Sequence, residues 1–113
     1  MNIWQDVASL LKAARELIGK PENWAQGASG ISVIREHTSW QNPKAVSFDA
    51  TGAIFFSARH AGFSDDVRSK ALKLLPRLEG TVSCWNDNTS HDRVMRAFTD
   101  AIYEAKAESW LSL

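Results

Sequence analysis

Apolar residues recur at three- and four-residue steps from Trp4 through Val7, Leu10, Leu11, Ala14, Leu17 and Ile18, which places them on one face of an opening helix. Asn2 can cap its start with Gln5 in the reciprocal position of a capping box. Gly19 and Pro21 then follow as a left-handed cap and a stop. From Glu22 to Asn42 the period dissolves. Glycine, serine and asparagine punctuate this stretch, and only Ile31-Ser32-Val33-Ile34 has strand character. The expectation is an ordered loop with room for a short strand or hairpin, pinned to the core by Trp24 and Trp40. Loops of this length inside a small domain are often functional.

Asn42-Pro43 reads as the cap and first position of a second helix that runs to about Ala61 and stops at Gly62. Val46, Ala50, Ala53, Phe56 and Ser57 form one stripe, and Phe48, Ile54 and Phe55 load the other side, so this helix is expected at the centre. Gly52 within it suits the close approach of a neighbouring helix. Ser64-Asp65-Asp66 opens a third helix with Val67, Ala71, Leu74, Leu75 and Leu78 facing inward, and Pro76 ends or kinks it. Gly80 to Asp87 reads as a connector with Val82 and Trp85 turned to the core. A fourth helix starts at Thr89 or Ser90, continues to about Glu108 and buries Val94, Phe98, Ala101, Ile102 and Ala105. Beyond it Trp110, Leu111 and Leu113 fold back or frame a contact. The expected fold is mostly α: a compact four-helix single domain over residues 1–113, with the long ordered loop between helices 1 and 2.

Charge narrows the partners little. Thirteen basic residues balance thirteen acidic ones, so no general attraction to nucleic acid or anionic membrane follows. The lone Cys84 excludes an internal disulfide and a cysteine-rich zinc site, and fits a reducing compartment. No apolar run approaches a membrane span, and the amino end lacks the basic-then-apolar order of a secretory signal. The expected location is cytoplasmic. The five tryptophans are many for this length, and most are expected as core anchors with a satisfied indole N–H.

Three blocks carry a resemblance. Leu11-Lys12-Ala13-Ala14-Arg15-Glu16-Leu17-Ile18 with Asn23-Trp24-Ala25-Gln26-Gly27-Ala28, then Ala45 to Ile54, then Trp85-Asn86-Asp87 with the Ala101-Ile102 helix, resemble the family called domain of unknown function 6197. The resemblance implies a small protein of bacteria, their phages or mobile elements, and implies no activity. Members usually show Trp-Cys where this chain has Phe48-Asp49, which weakens any thiol chemistry.

Candidate chemistry falls in a few places. Asp49 lies beside the apolar stripe of the second helix, where an unpaired carboxylate is costly. It is either a general base or ligand with a raised pKa, or a structural group paired with an arginine or with a hydroxyl and a loop N–H. Asp87 and His91 could act as acid and base near Trp85, but turn chemistry explains Asn86 and Asp87 without a ligand. His37, His60 and His91 show no metal-ligand spacing, so neither metal nor other cofactor is expected. Cys84 has no partner spacing, Ser57 and Ser83 lie in no nucleophile elbow, and Gly27-Ala28-Ser29-Gly30 follows no strong strand. Lys70, Lys73 and Arg77 make a basic stripe on the third helix that could meet phosphates, although a solvated helix face is commoner.

Three functions remain open. The first is a small non-catalytic interaction protein that presents Trp24, Gln26, Trp85, Asn86, Asp87 and Trp110 to a protein partner or to its own copy. The second is a small-ligand binder or hydrolase-like enzyme with Asp49, Asn86, Asp87 and His91 around a pocket between helices 2 and 4. The third is a nucleic-acid binder acting through the basic stripe.

Overall fold

A computed structural model describes residues 2–112. Helix α1 (Ile3–Leu17) is followed by a 3₁₀ turn (Pro21–Asn23), three short strands β1 (Gly30–Ser32), β2 (His37–Thr38) and β3 (Ala45–Phe48), then α2 (Ala50–Ala61), α3 (Asp65–Lys73), α4 (Val82–Asp87) and α5 (His91–Leu111). Mostly α is correct, but four helices and a loop become, among the described residues, five helices and a small antiparallel sheet in the order β2-β1-β3.

Helix α1 is the spine. It packs against α5, α2 and α3, and its Val7, Leu10, Leu11 and Ala14 are buried completely, as is Ile18 just beyond it. The facing helices contribute Val94, Phe98, Ala101 and Ala105 from α5, Ala53, Ile54 and Ala58 from α2, and Val67 and Ala71 from α3. These residues form one continuous core. Asn2 caps α1 by accepting from the Gln5 N–H at 3.2 Å, while its own amide donates to Ser109 and so ties the start of α1 to the end of α5. Ser64 and Ser90 cap α3 and α5 in the same way.

Several boundaries depart from the sequence expectation. The second helix begins at Ala50 rather than Pro43, because Ala45, Ser47 and Phe48 pair with β1, with an irregularity at Val46, and the Asn42-Pro43-Lys44 segment forms a turn closed by the Ala45 N–H on the Asn42 carbonyl. Val46 is therefore an exposed strand residue, not part of a helical stripe. Of the Ile31–Ile34 run only Ile31 and Ser32 are strand; Val33 and Ile34 sit exposed at a hairpin tip, where Arg35 takes a left-handed φ of 66°. Gly19 is not left-handed; α1 instead tightens, with the Gly19 N–H on the Glu16 carbonyl, before Pro21 opens the 3₁₀ turn. Leu78 is exposed, since α3 stops at Lys73 and no longer directs it inward. The connector holds α4, capped by Thr81. Helix α5 runs on to Leu111, leaving Trp110 and Leu111 exposed rather than folded back; Leu113 lies outside the described residues.

No described helix is long and apolar enough to cross a membrane.

Candidate functional site

Helix α4 is short because Thr81 starts it, accepting from the Cys84 N–H at 3.0 Å, and Asn88 closes it after only six helical residues. That length carries Asn86 and Asp87 to the segment after the 3₁₀ turn, where Trp24 bridges to Phe48 of β3. Asn86 is completely buried. Its carbonyl oxygen accepts from the Trp24 indole at 2.7 Å and from the Ala50 N–H at 3.0 Å. Its amide donates to the Ala25 carbonyl at 2.9 Å and to Asp87 Oδ1 at 3.1 Å. All four hydrogen-bonding positions of the side chain are filled. One of them supplies a first-turn N–H of α2, which the helix itself cannot satisfy.

The neighbouring residues extend this clamp. Gln26 donates to the carbonyls of Asn86 and Thr89 at 3.2 and 3.0 Å, and the Gly27 N–H reaches Asp87 Oδ1 at 2.8 Å. Trp85 packs half-buried against the core. His91 Nε2 stands 2.7 Å from the Ile18 carbonyl. A carbonyl can only accept, so that nitrogen carries the proton, and His91 joins the start of α5 to the end of α1. His91 and Asp87 thus hold different partners rather than each other.

Asp49 is the N-cap of α2, not an interior helix residue. Its Oδ1 accepts from the Gly52 N–H at 2.6 Å and its Oδ2 from the Ser83 hydroxyl at 3.2 Å. The hydroxyl expected for a structurally paired carboxylate is present, and the N–H comes from the first turn of α2 rather than from a loop. Ser83 has one proton; donated to Asp49, it leaves Ser83 to accept from Thr51 Oγ1 at 3.0 Å. Burial pushes the Asp49 carboxyl up to about 6; the Gly52 and Ser83 bonds oppose this, and the Asp87 charge adds to it. Among the described residues, no buried side-chain polar atom is left without a partner.

Asp49, Asn86, Asp87 and His91 therefore gather at one corner of the fold, each bonded to neighbouring groups of the chain. Hollows of about 490 and 440 Å³ lie over the outer face of α2, and smaller ones of about 270 to 300 Å³ elsewhere, and none of these is lined by any of the four. Ser83 and Thr51 border the 270 Å³ hollow, so two hydroxyls separate the carboxylate from it.

A model of the family of unknown function DUF6197 matches residues 3–104, which span α1 through most of α5 and include the whole Asn86 clamp. The chain belongs to that family. No curated protein and no solved structure is significantly similar to it. Lys106 and Trp110 lie past the matched span.

The remaining candidates are dispersed. Lys70 pairs with Asp66 at 3.2 Å and sits over the Trp4 ring, and Arg77 lies beyond the end of α3 with its guanidinium toward the Leu72 carbonyl, so the stripe with Lys73 is not continuous. Partial burial and the Glu79 carboxylate push the Cys84 thiol up, away from the thiolate a nucleophile needs. Among the described residues, no three of His, Cys, Asp and Glu are grouped to hold a metal ion. Trp110 is 77% exposed, Leu111 80% and Tyr103 68%, all on α5. In the sequence Ser83 is visible only as a serine outside any nucleophile elbow, and Thr51 and Tyr103 carry no assignment. A hydroxyl one residue before Cys84 gives no signal until α4 is recognised, whereas Tyr103 and Trp110, seven positions apart on one helix face, carry one.

Proposed function

We propose that this protein is a small non-catalytic interaction protein and that the carboxyl-terminal part of α5 is its contact surface. One observation carries the reading: Trp110 and Leu111 stand at 77% and 80% exposure on a regular helix, while Asp49, Asn86, Asp87 and His91 are hydrogen-bonded within the fold. Each large apolar side chain left in water forgoes roughly 1.5–3 kcal/mol of burial that a partner can restore, and tryptophan is over-represented among interface hot spots. Under this reading Trp24, Gln26, Trp85, Asn86 and Asp87 hold the shape of the surface around them. The resemblance to proteins of bacteria, phages and mobile elements makes a host or defence protein the first partner class to test, with a second copy of the chain as the other.

The experiment is affinity capture from the native host with the wild type, Trp110→Ala and Leu111→Ala, alongside sedimentation of the purified chain. A partner lost with either variant while the thermal melt is unchanged supports the reading. Capture indifferent to both variants, with a monomeric chain in sedimentation, removes it.

A further inference from the structure

Two hollows of about 300 Å³ each run end to end along the seam between α1 and α5. Lys12 and Lys106 line both, so they stand where one passes into the other. Arg15 adds a third cation, fixed in place by its Nε donating to Thr99 Oγ1 at 3.0 Å. The acidic residue on these walls is Glu16. Among the described residues the ion pairs join Arg68 to Asp65 and Lys70 to Asp66, so none of the three seam cations has a carboxylate partner. The chain as a whole carries no net charge, so this excess is local to the seam. Trp4 and Trp110 flank one hollow and Tyr103 the other.

We infer that this seam is a docking groove for an acidic segment of a protein partner, with carboxylates over Lys12, Arg15 and Lys106 and one large apolar side chain between Trp4 and Trp110. The inference rests on the interaction reading and adds the chemistry of the partner. Charge complementarity selects the occupant. A single nucleic-acid strand also combines charge with stacking, but it brings a phosphate at every nucleotide and binds by releasing many counterions. Three cations beside a carboxylate match a peptide whose acidic residues are interrupted by an apolar one.

The test pans a random-peptide display library on the full chain and measures the enriched peptides by fluorescence anisotropy. Enriched sequences should be net acidic around a leucine, phenylalanine or tryptophan. Their affinity should fall roughly tenfold in the Lys12→Glu/Lys106→Glu variant, as two exposed charge contacts are lost, and should fall less in Lys12→Gln/Lys106→Gln. It should hold in Lys73→Glu, an exposed charge outside the seam. Neutral or basic peptides that depend on Trp110 would overturn the acidic groove and leave the interaction reading standing. Acidic peptides indifferent to the lysine variants also overturn it, and no peptide sensitive to either Trp110→Ala or the lysines counts against both. Oligothymidylate, titrated in parallel, overturns the inference if it binds through Lys12 and Lys106 while acidic peptides do not.

Discussion

Asn86 does the work of several backbone groups at once, and its loss strands them together. In Asn86→Ala the Ala50 N–H, the Trp24 indole and the Ala25 carbonyl each lose a partner. Leaving a buried polar group unmatched costs roughly 1–3 kcal/mol, so the variant should lose at least about 3 kcal/mol in urea unfolding. A loss below about 1 kcal/mol would show that water reaches the corner and takes over those bonds. Asp49 poses a different problem, because its bonds favour the charge and its burial opposes it. The carboxyl has its ordinary value of 3.8 when unfolded and about 6 in the fold, so the folded chain holds the proton more tightly. Its contribution to stability is therefore fully present below about pH 4 and is lost as pH rises through about 6, a swing on the order of 3 kcal/mol. Asp49→Asn keeps an oxygen for the Gly52 N–H and removes the titration. Urea midpoints of the wild type should fall as pH rises from about 4 to about 6 and then level off, while those of the variant stay level throughout. Parallel falls in both proteins would place the pH dependence elsewhere.

The start of α2 shows why some elements could be read from the chain and others could not. A Cβ at Gly52 would run into the Ser29 carbonyl, part of the loop whose Ser29 carbonyl also accepts from the Asp49 N–H. Alanine gains roughly 1 kcal/mol over glycine in an ordinary helix position, so propensity alone favours Gly52→Ala. The clash is with backbone, which cannot rotate aside, and overpacking of this kind costs about 1–3 kcal/mol. The variant should melt lower than the wild type; a higher melting temperature would mean the loop moves freely. The glycine was visible as a close approach, but a loop rather than a helix makes it. Helices α1, α3 and α5 were legible because each couples a capping residue to a sustained apolar period. Ala45–Phe48 was not, since four residues fit both periods and pairing with β1, distant in sequence, decides between them. Helix α4 has six residues, too few to show a period at all.

At the scale of the molecule, the chain divides between residues that α1 buries and residues that α5 carries outward, and two truncations on α5 separate the roles. Phe98 is completely buried, so Phe98→Ala should cost about 3–5 kcal/mol through lost transfer energy and the cavity left behind. Trp110 stands on the same helix at 77% exposure, so Trp110→Ala should change stability by no more than about 0.5 kcal/mol. The periodicity of α5 foretold the first. It could not foretell the α1–α5 seam, because Lys12 and Lys106 come together only through the packing of helices at opposite ends of the chain. The comparison is made by urea unfolding of both variants under one set of conditions. A large loss in Trp110→Ala would mean that the indole is packed within the chain, and its surface would then be unavailable to any partner. A small loss beside a large one in Phe98→Ala leaves the exposed indole with no structural duty, which is the condition an interface residue has to meet.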